Sequence, residues 1–149
     1  MADAPAAVLF DIDGTLIDTG GASDRAWRRA FAELHGVDVN VPDYTGKGVP
    51  DPAVGLASFR GALGREPSAE EMAALIALRQ RYLADEVETS PGHRVMPGAI
   101  ELLDSLTAQG RLVGLITGNT EPAAHTKLAR AGARPRGAQP LLRLRRLRL

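Results

Sequence analysis

Apolar residues recur along this chain at two spacings, and the change from one to the other marks out its parts. Val8-Leu9-Phe10 is a short apolar run closed by Asp11-Ile12-Asp13-Gly14, the pattern of a buried parallel strand that ends in a turn. Beyond the flexible Thr19-Gly20-Gly21 the period lengthens. Ala26, Trp27, Ala30, Phe31 and Leu34 fall on one face of a helix that Ser23 or Asp24 would cap and Gly36 would close. A loop rich in Pro and Gly occupies 41–52, and a short helix holding Val54, Leu56, Phe59 and Leu63 follows. Ser68 and Glu71 have the spacing of a capping box, and Met72, Leu75, Ile76, Tyr82 and Leu83 continue as a helical stripe toward Val87. Residues 19–92 therefore read as all-helical. Strand and helix alternate again from Val95: Pro97 opens a helix with Ile100, Leu103 and Leu106 on its apolar face, Gly110 ends it, and Leu112-Val113-Gly114-Leu115-Ile116 is a second buried strand. A helical insert interrupting a βαβ-type unit is the simplest architecture, and no internal repeat is visible.

Composition narrows the class without changing that picture. With 149 residues, 44% hydrophobic and 24% charged, the chain has the size and balance of one soluble globular domain. It has no cysteine, so a disulfide framework and a thiolate metal site are both excluded. No leader pattern and no apolar stretch of membrane-spanning length is present, so a cytoplasmic protein is expected. Charge does change the picture. Residues 1–121 carry 10 Lys or Arg against 18 Asp or Glu, a net −8, whereas 122–149 carry Lys127 and seven Arg with no acid, a net +8.

Two stretches carry candidate chemistry. Side chains alternate along a strand, so Asp11 and Asp13 point to the same side at the carboxyl end of the first strand, where open α/β sheets bind ligands. Paired carboxylates there can hold Mg²⁺ through oxygen, and one can act as nucleophile while the other moves protons. The plain alternative is an Asp13-Gly14 hairpin turn. Thr117-Gly118-Asn119-Thr120 follows the second strand, with Thr120 placed to cap a helix starting at Glu121-Pro122. A hydroxyl, a glycine and a helix N-terminus together suit an anion such as phosphate, although a capped turn with no ligand looks the same. His35, His93 and His125 have neither metal-ligand nor triad spacing and read as ordinary surface residues.

The eight residues Asp11 to Asp18, DIDGTLID, closely resemble motif I of the haloacid dehalogenase-like (HAD) superfamily, and the strand ending at Thr117 resembles its motif II. The resemblance implies an α/β fold, a HAD-like Rossmannoid parallel sheet core with an inserted α-helical cap of type C1. It further implies that Asp11 attacks phosphorus to form an aspartyl-phosphate, and that Asp13 protonates the leaving group and then activates water. Mg²⁺ would be held by the Asp11 carboxylate and the Asp13 backbone carbonyl. Thr117 would bind the phosphoryl group, with Gly118 and Asn119 shaping the loop. Lys127, the only lysine after motif II, would stabilise the phosphorylated intermediate, unless it is a solvated helix lysine. In such enzymes the cap closes over the site and supplies selectivity. The loop at 46–51 is then the one to watch, although the ordinary fate of charges such as Lys47 and Asp51 is solvation, and Trp27 and Phe31 read as cap core. The domains implied are core at 1–18, cap at 19–92, core at 93–132 and a basic tail at 133–149. The expected reaction is hydrolysis of a small phosphomonoester, of the phosphoglycolate phosphatase-like kind. No nucleic acid or membrane partner is expected, and a phosphomutase is the alternative within enzymes.

The superfamily's late acidic motif has no counterpart, because no Asp or Glu follows Glu121. Three readings of the Ala-, Gly-, Pro-, Leu- and Arg-rich tail compete. It could bind nucleic acid or an acidic surface, which would make the chain a non-catalytic binding protein, but it lacks aromatic stacking residues. It could be an edge strand of alternating Leu and Arg. The reading preferred here is a chain cut short, its tail translated out of register, because the acids vanish where the superfamily pattern continues. Two strands without neighbours would then fold only marginally.

Overall fold

The computed structural model describes residues 7–131. Expectations that fall on the tail, 133–149, and on residue 132 lie outside the described residues. The strands are β1 (Ala7–Phe10), β2 (Ile17–Thr19), β3 (His93–Val95) and β4 (Leu112–Leu115). The helices are α1 (Ala22–His35), α2 (Asp51–Leu63), α3 (Ala69–Thr89), α4 (Ala99–Ala108) and α5 (Glu121–Arg130), with a single 3₁₀ turn at Val41–Asp43.

β1 and β4 pair in parallel, with Phe10 opposite Leu115, and the Ile116 amide extends the ladder by donating to the Phe10 carbonyl at 2.9 Å. Both strands were expected to be buried, and here the structure corrects the sequence. Leu9 is 51% exposed, Leu112 70% and Ile116 62%. Among the described residues each strand has one neighbour only, so a pattern suited to two covered faces meets less cover than it needs. What lies beneath the pair is packed: Ile12, Leu16 and Ile17 from the turn after β1 meet Ala99 and Leu103 of α4 and Ala124 of α5.

The second pairing was not legible. β2 and β3 run antiparallel, with Ile17 opposite Val95, and form a stem joining the sheet-bearing part to helices α1–α3. At its tip Gly20, at φ 60°, lies against Gly92 so closely that a Cβ on Gly20 would sit 2.6 Å from the Gly92 Cα. The backbones touch there because neither residue has a side chain.

α1 starts one residue before Ser23, after Gly21 in a left-handed conformation, so neither Ser23 nor Asp24 caps it. Gly21 makes the turn out of the stem and frees both side chains for the cleft. The expected buried face holds at Ala26, Trp27, Ala30 and Phe31 but fails at Leu34, which is 39% exposed in the last turn before Gly36. Trp27, Phe31 and Phe59 are buried, with ring centroids 6.4 Å apart for both Trp27–Phe31 and Phe31–Phe59. Burying each such ring contributes roughly 1.5–3 kcal/mol. α3 begins with the full capping box: the Ser68 hydroxyl accepts from the Glu71 amide at 3.1 Å, and the Glu71 carboxylate accepts from the Ser68 amide at 2.8 Å. α4 starts at Ala99, after a left-handed Gly98, two residues later than Pro97 suggested.

Replacing Ser68 by Ala should lower unfolding stability by about 1 kcal/mol in denaturant titrations at neutral pH. The Arg65 guanidinium and the Ser68 amide hold the Glu71 carboxyl at about 2 rather than 4.5. Its contribution is therefore complete above pH 4.5 and lost as pH falls toward 2, so wild type should lose stability faster than Glu71→Gln over that window. Because each sheet has only two strands among the described residues, the chain should melt at or below the low end of the usual domain range, about 45–65 °C, by calorimetry.

Candidate active site

Parallel pairing of β1 with β4 delivers both candidate motifs to one end of the sheet. Asp11 is the residue after β1, Thr117 the second after β4, and their strands are hydrogen-bonded neighbours. Asp13 lies past the strand, in a tight turn where the Leu16 and Ile17 amides both donate to the Ile12 carbonyl, at 3.0 and 3.1 Å. The period-two argument thus runs only to Asp11. It is the turn that returns Asp13 to the same cleft.

That cleft, of about 840 Å³, is lined by Asp11, Asp13, Thr117, Gly118, Asn119 and Lys127 from one side. Trp27 and the loop Thr45 to Val49 line it from the other. Every residue singled out for chemistry in the sequence is present. Asn119 ties them together: its side-chain amide nitrogen donates to Asp13 Oδ2 and to Thr117 Oγ1, both at 2.7 Å, and its own backbone amide donates to Thr117 Oγ1 at 3.2 Å. Lys127 is not a solvated helix lysine. Only 2% exposed, it donates from Nζ to Asp13 Oδ1 and Oδ2 at 2.8 Å and to Asn119 Oδ1 at 2.6 Å. The Asp11 carboxylate accepts the Ile12 amide through Oδ1 at 2.7 Å.

Other charges bear on the cleft. Asp24 faces it, and burial raises its carboxyl above the ordinary value while Lys127 and Arg25 pull the other way. Lys47 is exposed at the rim, as a loop lysine is expected to be. Asp51 is not: it is 7% exposed, and both its oxygens meet Arg79, at 3.0 and 3.1 Å. Arg79, 2% exposed, also donates to Ser23 Oγ at 3.0 Å, and burial lowers its guanidinium below the usual range. Sequence reading missed Arg79. The signal was there, since Leu75, Arg79, Leu83 and Val87 fall four apart on one buried stripe of α3, where a lone charge demands a partner.

Asp11 and Asp13 line the cleft, and their oxygens are hard donors that suit Mg²⁺ in kind. Among the described residues no three His, Cys, Asp or Glu side chains cluster to hold a metal ion. Mg²⁺ commonly keeps several waters and uses one or two protein carboxylates with substrate phosphate, so this donor pair fits it as part of a site. Nor, among the described residues, is any helix long and apolar enough to cross a membrane.

Comparison with known proteins identifies the family. A validoxylamine A 7'-phosphate phosphatase of Streptomyces hygroscopicus is 33% identical over 129 residues, covering 84% of this chain and 55% of that protein. A phosphoglycolate phosphatase of Cereibacter sphaeroides is 31% identical over 129 residues, covering 84% and 56%. The chain thus spans little more than half the length of the curated relatives it matches. A hydrolase of known structure from Pseudomonas syringae superposes with a TM-score of 0.69 at 20% identity, over 86% of this chain and 57% of that one, and so shares its α/β fold. Residues 5–139 match the haloacid dehalogenase-like hydrolase family, and to that family the chain belongs.

Proposed function

We propose that this chain carries the reacting half of a phosphatase that hydrolyses a small phosphomonoester through an aspartyl-phosphate. The observation that supports it best is the Asn119 bridge, which reaches 106 positions back along the sequence to the Asp13 carboxylate after β1 and also holds the Thr117 hydroxyl after β4. Helices α1–α3 serve as the cap over the cleft, and the loop before α2 forms its roof.

In the first step an Asp11 carboxylate oxygen forms a bond to phosphorus as the ester P–O bond breaks, and a proton on Asp13 passes to the departing alkoxide. In the second, Asp13 takes a proton from water, whose oxygen bonds to phosphorus, and the Asp11–phosphorus bond breaks to release inorganic phosphate. Thr117 Oγ1 and the Gly118 amide, which line the cleft just past β4, would donate to phosphoryl oxygens. Lys127 holds Asp13 and Asn119 in place and puts positive charge beside the transferring group. Mg²⁺, held by the Asp11 carboxylate and the Asp13 carbonyl, would supply charge that stabilises the attacking and leaving oxygens. The relatives named as phosphatases support this reading, and a cytoplasmic setting is consistent with it.

The wild-type chain with Mg²⁺ should release phosphate from a generic phosphomonoester such as p-nitrophenyl phosphate, and Asp11→Asn should abolish that release by at least about a thousandfold. Equal rates for the two proteins would remove Asp11 from the chemistry. Stripping divalent ions with a chelator should suppress turnover, and added Mg²⁺ should restore it. Lys127→Met should reduce kcat about 10- to 100-fold and lower the melting temperature, because Asp13 and Asn119 then lose the buried donor that holds them.

A further inference from the structure

The Asp51–Arg79 pair lies outside the steps above, yet it touches the turn on which they depend. Asp51 opens α2, on the side of the cleft opposite the sheet. Beyond its two contacts with Arg79, Oδ2 accepts a hydrogen bond from the backbone amide of Thr120 at 3.1 Å, and the Asp51 amide donates to the Gly118 carbonyl at 2.9 Å. One residue therefore grips the Thr117–Thr120 turn at two points. The turn has no grip of its own at this place. Thr120 stands at the N-cap of α5, but its side chain makes no capping bond, and the third helical position, where a Glu could reach back to the N-cap amide, is Ala123. Gly118 completes the contact, since a Cβ there would lie 3.0 Å from the Pro50 Cα, so any larger residue would press the α2 entry away from the turn.

We propose that Asp51 is a positioning residue, supplying from the helical layer the acceptor that α5 lacks, so that the turn keeps the shape in which Asn119 bridges Thr117, Asp13 and Lys127. The part of this proposal that concerns phosphate rests on the phosphatase reading.

Removing Asp51 alone would strand a buried arginine, so the test compares two charge-free pairs in the full chain, Asp51→Asn/Arg79→Met and Asp51→Leu/Arg79→Met. Asn and Leu have similar shapes, and only Asn offers an oxygen to the Thr120 amide. Hydrogen exchange at that amide and the binding of inorganic phosphate are measured for both and for wild type. The Asn pair should stay within about threefold of wild type on both readouts. The Leu pair should exchange at Thr120 at least tenfold faster and bind phosphate at least tenfold more weakly, with the amides of Ala26 to Phe31 in α1 still protected. Equal behaviour of the two pairs overturns the proposal, and so does loss of α1 protection in either, which would make the residue structural only. If wild type binds no phosphate, the phosphatase reading fails on its own, and exchange at Thr120 still decides the positioning role.

Discussion

The parallel pairing of Ala7–Phe10 with Leu112–Leu115 is the constraint from which the site follows. Its register sets Phe10 opposite Leu115, so two segments more than a hundred residues apart leave the sheet side by side. Parallel strands must be joined by a crossover, and this chain uses the crossover to carry its helical layer as well. A slip of one residue would turn the side chains after β1 to the opposite face and break the link from Asp13 through Asn119 to Thr117.

Around that pairing the polar groups form a connected chain of partners. Lys127 is buried and donates every proton it has to Asp13 and Asn119, Asn119 holds Thr117, and Asp51 and Arg79 hold the turn from the far side. Such a network is costly if any member is left unmatched, because buried charge without a partner loses several kcal/mol of hydration. A lysine that satisfies a carboxylate in this way would also have to share its charge with a phosphoryl group in the proposed reaction. The same contacts that rigidify the cleft therefore set its electrostatics.

How much of this was legible depended on how local the information was. Motif I, motif II and the Ser68–Glu71 box are short contiguous signals, and each appears where it was read. The β2–β3 stem was missed because three residues are too few to show a period, and its pairing joins Ile17 to Val95 across the whole helical layer. Asp51 was read as a surface charge because its loop context says so, and only the fold brings Arg79 to it. Strand burial was misjudged for a related reason. Val, Leu and Ile in Leu112 to Ile116 report what the strand is suited to, while cover depends on which neighbours surround it.

The open sheet has a consequence of its own. Among the described residues β1 and β4 each present one edge with no strand beside it, flanked by Leu9, Leu112 and Ile116. Unpaired amides and carbonyls beside exposed aliphatic side chains are a template for another strand, from whatever molecule offers one. At high concentration that molecule is another copy of the same protein. Were those edges to stay uncovered, the sheet that assembles the cleft would also be where crowded preparations begin to aggregate, and self-association would compete with folding for the same backbone groups.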